Sequence, residues 1–285
     1  MKRFEDRVAV ITGGASGLGR ALGERFGAAG VKVVLADINE QMLAETAETL
    51  RARGVTLATR RTDVAKGEDV ERLADFALET FGAVHIVCNN AGVAPLGVLW
   101  EADESDWRWA LGVNVWGVIY GVRVFTPILL GQGDEGHIVN TASVAGLISP
   151  PGMGIYSVTK HAVVALTETL HHDLAAKTDK VKCSVVCPAY FPSNIAYSER
   201  NRPAELRSER PKSEEDIARE LQLFKAVKSG RLSAYDVADA AFAAVRDERF
   251  YVLTHPRILP AVESRAREIL EGRNPASPLR QGPPE

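Results

Sequence analysis

The sequence predicts an α/β fold: a doubly wound, mostly parallel sheet of about seven strands with helices on both faces. Three observations predict it. Short β-branched runs, apolar throughout rather than alternating, recur along the chain. Long amphipathic segments separate them. The first run passes directly into a glycine cluster and then into a helical pattern. Strands that are apolar on both faces must be covered on both faces, and right-handed crossovers between parallel strands put helices there.

In chain order, Val8–Thr12 is the first strand and Leu18–Ala29 the first helix. A strand at Val31–Ala36, a helix over Asn39–Arg53, a strand at Val55–Arg60 and a helix over Gly67–Phe81 follow. Val84–Cys88 reads as the fourth strand and Ser105–Leu130 as one long helix. His137–Thr141 is a strand, Tyr156–Lys177 a helix and Val181–Cys187 a strand. Phe250–Leu253 is a late seventh. Residues 189–232 break this rhythm, being rich in Arg, Glu, Ser and Pro with a helical stretch near Glu214–Val227. An insertion of this length after a strand end is expected to act as a lid over a binding site. From Gly272 the pairs Asn274-Pro275 and Pro283-Pro284, with Pro278 between them, predict a flexible tail over 272–285.

Composition narrows the function classes. Of 285 residues, 46% are hydrophobic and 25% charged, which excludes a disordered or fibrous chain. The net charge of −3 offers no basic field for nucleic acid or an anionic membrane, so neither partner is expected. Glu5 and Asp6 sit where a signal peptide needs its apolar core, and no apolar run is expected to span a bilayer. The expected location is cytoplasmic. Cys183 and Cys187 are four apart in one strand, roughly 13 Å by strand rise, too far to bridge. With Cys88 they read as small buried hydrophobes. His171 and His172 are adjacent and His161 is not at ligand spacing from them, so no metal site is expected. His85 reads as a core residue.

The first strand runs into Thr12-Gly13-Gly14-Ala15-Ser16-Gly17-Leu18-Gly19. Glycines suit a sharp turn and close approach of a phosphate to main-chain N–H groups. The helix that follows presents free N–H groups and its positive dipole end to the same phosphate. Gly13, Ser16, Gly17, Leu18 and Gly19 are therefore candidate contacts for a dinucleotide. Asp37 ends the second strand, about 20 residues further on, where an acid can accept a hydrogen bond from a ribose 2′-OH. A 2′-phosphate there would meet a like charge, so NAD is expected in preference to NADP. Arg20 is expected on the helix surface.

The spacing Thr12-Gly-x-x-x-Gly17-x-Gly19 resembles the short, single-domain branch of the short-chain dehydrogenase/reductase family, a Rossmann-type fold. The likeness continues in order through residues 6–195. Asp63-Val64 resembles the adenine-contact pair, and Asn89-Asn90-Ala91-Gly92 the motif after the fourth strand, adding Asn90, Ala91 and Gly92 to the cofactor set. Asn114, Ser143 and Tyr156-x-x-x-Lys160 match the catalytic residues. The resemblance implies that Tyr156 exchanges the alcohol proton, Ser143 binds the substrate oxygen, Lys160 binds the nicotinamide ribose and Asn114 holds a water linking Lys160 to solvent. Tyr156 and Lys160 are four apart and share a helix face, and a nearby ammonium is expected to lower the phenol pKa. The family's Pro-Gly after the sixth strand is Pro188-Ala189 here, and Ser193 stands where the family has a nicotinamide-contacting Thr.

One dinucleotide-binding catalytic domain is thus expected over 1–271, with the lid at 189–232 inserted in it. The expected substrate wall is Val93, Ala94, Leu147, Met153, Ala189, Tyr190 and Phe191, mostly apolar. It suits a secondary alcohol or ketone with a hydrophobic body, aromatic bodies included. The run Ser193–Pro203 resembles a stretch in members that oxidise benzylic alcohols of lignin-derived aryl compounds. A steroid or a 3-oxoacyl thioester with NADP, and a non-catalytic dinucleotide-binding regulator, are the alternatives; the regulator should have lost Tyr156 or Lys160, and both are present. Trp109, Val113 and Trp116 form a stripe that reads as core or subunit interface. In the family this helix and the Tyr156 helix pair subunits, which implies a homodimer or homotetramer.

Overall fold

The computed structural model describes residues 1–208 and 210–278. Its seven strands form one parallel sheet in the order β3-β2-β1-β4-β5-β6-β7. They are β1 (Val8–Thr12), β2 (Lys32–Asp37), β3 (Leu57–Arg61), β4 (Ile86–Asn89), β5 (Gly136–Thr141), β6 (Val181–Val186) and β7 (Tyr251–Val252). Every residue of β1, β4 and β5 is buried, as continuous apolar runs require of a two-sided sheet. Side chains alternate between two layers. Ala9 and Ile11 face a cluster with Leu22, Phe26, Leu50 and Phe242, supplied by α1 (Gly17–Gly27), α2 (Glu40–Ala52) and α8 (Ala234–Asp247). Val10 faces Leu73, Phe125, Leu129 and Leu170 on α3 (Gly67–Phe81), α5 (Gly117–Gln132) and α6 (Gly154–Lys177). Strand order reverses beside β1, between β2 and β4, which opens a crevice at their carboxyl ends.

Most elements lie where the sequence puts them; the differences are local. The single helix expected over Ser105–Leu130 is three pieces: α4 (Glu104–Leu111), a π-helical turn (Gly112–Trp116) and α5. The whole stretch Glu104–Gln132 is long and apolar enough to cross a membrane by length and composition, which corrects the expectation that no run approaches this. Here it packs against α3, β4 and β5, with Phe125 and Leu129 buried. The insertion after β6 forms two 3₁₀ turns, Ile195–Asn201 and Ala204–Leu206, and then α7 (Glu214–Lys228). A final helix, α9 (Leu259–Leu270), was not read from the sequence. Beyond it the Ala276 N–H donates to the buried Glu268 carboxylate at 3.3 Å, while residues 279–285 of the expected tail lie outside the described residues. All three cysteines are free and buried, and His85 Nδ1 accepts the Val8 N–H at 3.1 Å.

A buried polar chain ties the second layer together. Asn89 Nδ2 donates to Asn140 Oδ1 at 2.9 Å, and Asn140 Nδ2 donates to Thr167 Oγ1 at 3.0 Å, linking β4, β5 and α6. Gly121 lets α5 lie directly on this chain, since a Cβ there would come within 2.0 Å of Asn89 Oδ1. Gly121→Ala is therefore expected to lower stability by about 1–3 kcal/mol. Urea unfolding followed by far-UV circular dichroism measures this; an unchanged midpoint would contradict so close an approach.

Candidate active site

The crevice is built from the loop after β1 upward. Gly13 and Gly17 adopt φ of +66° and +51°, left-handed values that favour glycine. A Cβ on Gly19 would lie 2.0 Å from the Gly13 carbonyl oxygen, so the start of α1 rests on the loop backbone itself. No acidic residue occupies the first turn of α1, leaving its N–H groups open to an anion. Thr12 joins this loop to the one after β4. Its hydroxyl oxygen accepts the Asn90 and Ala91 N–H groups at 2.9 and 3.1 Å, and Asn90 Nδ2 donates to the Thr12 carbonyl at 3.0 Å. The sequence reading quoted Thr12 without giving it a role; the signal was a hydroxyl ending an otherwise apolar strand.

Asp37 sits at the end of β2, where Oδ2 accepts the Ala15 N–H at 3.0 Å and Oδ1 the Asn39 N–H at 2.9 Å. Burial pushes its carboxyl above the usual range; those two bonds and the Arg200 guanidinium oppose the shift. Arg200 comes from the insertion after β6, so the cation facing Asp37 is supplied by a segment far from β2 in the chain. Arg20 lies elsewhere, lining a separate groove with Glu24, Tyr197 and Tyr235. Asp63 Oδ1 accepts the Ala65 N–H at 3.1 Å, shaping the turn after β3.

One cavity of about 410 Å³ runs from Asp37, Asp63 and Val64 at one end to Ser143, Tyr156 and Lys160 at the other. Gly13, Ser16, Gly17 and Leu18 line its middle, facing Asn90, Ala91 and Gly92. Pro188 and Ser193 complete this wall, and Ser193 lies against Gly17. Gly19 supports the loop from behind.

At the inner end, Tyr156 and Lys160 project from α6 and are 8% and 3% exposed. Lys160 Nζ donates to the Thr141 carbonyl at 2.9 Å and lies 5.6 Å from the Tyr156 ring centre. Ser143 donates to the Pro188 carbonyl at 3.3 Å and accepts the Ala145 N–H at 3.1 Å, and it lowers the phenol pKa of Tyr156 beside it. Burial pushes the Tyr156 phenol up to about 12, against the influence of Ser143, and pushes the Lys160 amine down to about 8. The expectation that the ammonium lowers the phenol pKa is not met: desolvation raises it, and burial keeps the phenol protonated at neutral pH. In that state Tyr156 is a proton donor, suited to capturing charge that develops on a bound oxygen.

Asn114 lies in the π-helical turn and is fully buried. Widening the helix at this point turns the amide inward, as such turns often do at functional sites. Its Oδ1 accepts the Val93 N–H at 2.8 Å, while Nδ2 donates to the Val93 carbonyl at 2.9 Å and to Thr159 Oγ1 at 3.0 Å. It therefore clamps the chain after β4 to α6.

On the outer side, Val93, Ala94, Met153, Ala189, Tyr190 and Phe191 line the cavity as expected. Leu147 does not. The 3₁₀ turn Val144–Gly146 rotates it toward Val118, Ala142 and Val163, and Ile148 takes its place on the wall. Trp109 and Val113 also face the cavity, while Trp116 is 47% exposed, so the aromatic stripe is divided between two surroundings. Leu206, Leu223, Val227 and Ile258 add apolar wall that the sequence reading missed, because they arrive from the lid and from beyond β7. His255 Nδ1 accepts the Ala189 N–H at 3.1 Å and so fixes the turn after β6. Among the described residues no cluster of three or more His, Cys, Asp or Glu side chains could hold a metal.

Comparison with known proteins places this geometry. The family model described as short chain dehydrogenase matches residues 7–204. A short chain dehydrogenase/reductase from Burkholderia phymatum, solved in complex with NAD, is 54% identical with a TM-score of 0.97, covering 98% of this chain and all of that one. The 1-deoxy-11-beta-hydroxypentalenate dehydrogenase of Streptomyces exfoliatus is 35% identical over 259 residues, 90% of this chain and 92% of its own. The C alpha-dehydrogenase of Sphingobium sp. SYK-6 is 33% identical over 273 residues, 95% of this chain and 88% of its own.

Gly19→Ala is expected to weaken adenine-dinucleotide binding about 10- to 100-fold, since the added methyl must displace the loop backbone. Isothermal titration calorimetry tests it, and an unchanged affinity would remove the phosphate from the start of α1.

Proposed function

The chain belongs to the short-chain dehydrogenase/reductase family, and from that premise we propose that it is an NAD-dependent oxidoreductase acting on a secondary alcohol or the matching ketone with a hydrophobic body. The observation that carries this reading is the single cavity with a phosphate cradle and Asp37 at one end and Ser143, Tyr156 and Lys160 at the other. The residues fit the cofactor: a loop that a Cβ would fill, an open helix start and an acid at the ribose position. When bound, NAD supplies the hydride acceptor. Gly13, Gly17 and the start of α1 would hold its phosphates, Asp37 would accept from the adenosine ribose, and Lys160 would hold the ribose of the nicotinamide.

Ser143 and Tyr156 together bind the substrate oxygen. In reduction the Tyr156 hydroxyl would deliver a proton to that oxygen; in oxidation its phenolate would take the proton from the substrate hydroxyl. Ser143 stabilises the charge in either direction. The apolar wall of Val93, Met153, Tyr190 and Leu206 excludes water and selects a hydrophobic body, aryl or alicyclic. The relatives named for a hydroxypentalenate and a C alpha position support this class. Exposed Trp116 and Val158 on the π turn and α6 support assembly as a homodimer or homotetramer, to be checked by light scattering against the 30.9 kDa chain mass.

The test is absorbance of reduced nicotinamide with NAD or NADP and a panel of aryl and alicyclic secondary alcohols. Tyr156→Phe should cut kcat by about 10²–10⁴-fold and leave NAD affinity unchanged. NADP preferred over NAD would overturn the role given to Asp37 and favour a steroid or thioester reductase. NAD binding without turnover of any alcohol or ketone would favour the regulator.

Proton removal requires the phenolate. For oxidation kcat/KM should therefore rise with pH through the neutral range, and for reduction it should fall at high pH. A flat pH–rate profile for oxidation would exclude Tyr156 as the base.

A further inference from the structure

We propose that Arg202 is the positioning residue that fixes the lid side of the substrate cavity, by pinning residues 198–206 to the first turn of α4. The proposal rests on the reading of that cavity as the alcohol site.

Arg202 does not line the cavity; it sits behind the wall. Its side chain is 4% exposed, and every nitrogen is engaged. Nη1 lies 2.7 Å from Asp106 Oδ1 and 3.3 Å from Glu199 Oε1. Nη2 donates to Ser105 Oγ at 3.2 Å, and Nε donates to the Leu206 carbonyl at 2.5 Å. The guanidinium carbon is 4.9 Å from the centre of the Trp109 ring, within cation–π range. Asp106 serves two purposes at once: its other oxygen accepts the Asp103 N–H at 3.1 Å and caps α4. Asp103 in turn accepts a hydrogen bond from Ser208, and Ser198 accepts the Ala94 N–H at 3.3 Å.

The residues fixed in this way form the wall. Ile195, Ser198, Pro203 and Leu206 face the cavity on either side of Arg202 in sequence, and Trp109 faces it from α4. Between residues 195 and 206 only Ser198 and Arg202 are buried. Ile195 and Ala196 pack against a small cluster with Leu223 and Val227, and Tyr197 meets Phe224 edge-on, so it is the remainder, residues 198–206, whose position depends on the polar anchors. A buried guanidinium has one arrangement that satisfies all its donors, which makes that position definite. Loss of Arg202 should therefore free the wall and leave the sheet, the phosphate loop and Tyr156 in place.

Two measurements on Arg202→Met test this, with Asp106→Asn and Ser105→Ala as milder variants should the first fold poorly. The first is hydrogen exchange of the protein without substrate. Exchange should rise about tenfold or more over residues 198–208 and stay unchanged over β1, β4 and β5. The second is kinetics with NAD, using a hydroxysteroid as the large alcohol and 1-phenylethanol as the small one. KM for the large alcohol should rise about tenfold or more, with its kcat and the values for the small alcohol within about twofold. Arg202→Lys keeps the Asp106 pair and should restore part of the difference.

Unchanged exchange would overturn the pinning. Raised exchange with unchanged KM would overturn the role in selectivity. Equal losses for both alcohols, or weaker NAD binding, would show a general structural role and overturn the proposal. If the native protein turned over neither alcohol, the proposed function would fail, while the exchange result would still decide whether Arg202 pins the wall.

Discussion

The hydroxyl of Thr12 accepts two N–H groups from the loop after β4 while its own carbonyl accepts the Asn90 amide. These bonds join the two halves of the sheet where strand order reverses, and the rest of the site depends on that joint. The phosphate loop can lie against Ala91 only because Gly13 has no side chain; a Cβ there would stand 2.9 Å from the Ala91 Cα. From Ala91 the chain passes through Gly92 to Val93, which Asn114 clamps by both its amide and its carbonyl. Thr159 ties Asn114 to α6, the helix of Tyr156 and Lys160. A path of hydrogen bonds and backbone therefore runs from the glycine loop to the helix that carries Tyr156 and Lys160.

That pair owes its character to burial more than to mutual attraction. Tyr156 rises and Lys160 falls, so burial disfavours the charged form of each and leaves the phenol protonated. An exposed Tyr–Lys pair four apart on a helix would have neither property. The spacing supplies the shared face, and the depth of the cavity supplies the chemistry.

Much of the site was legible in the sequence because it stands at strand ends. A parallel strand is an apolar run, and the residue after its last apolar position faces the crevice; Asp37 follows from this rule, while Asp63, Asn90 and Ser143, one or two residues past their strands, were read from the family resemblance. Positions off the strands were harder to read. Leu147 turned into the core because a single 3₁₀ turn changed its direction. The π turn at Asn114 is invisible in a continuous apolar pattern, since an added helical residue alters angle without altering composition. Arg200 and Arg202 read alike, as basic residues among acids. One faces Asp37 across the cavity and the other is buried behind its wall.

By itself the sequence determined the sheet, the glycine loop after the first strand and the family, because all of these are written in periodicity and short spacings. Only the tertiary structure decided which side chains line the outer cavity, which arginine is buried and in which direction the Tyr156 and Lys160 pKa values move. Those properties arise between segments far apart in the chain, where desolvation and close contact depend on the whole fold.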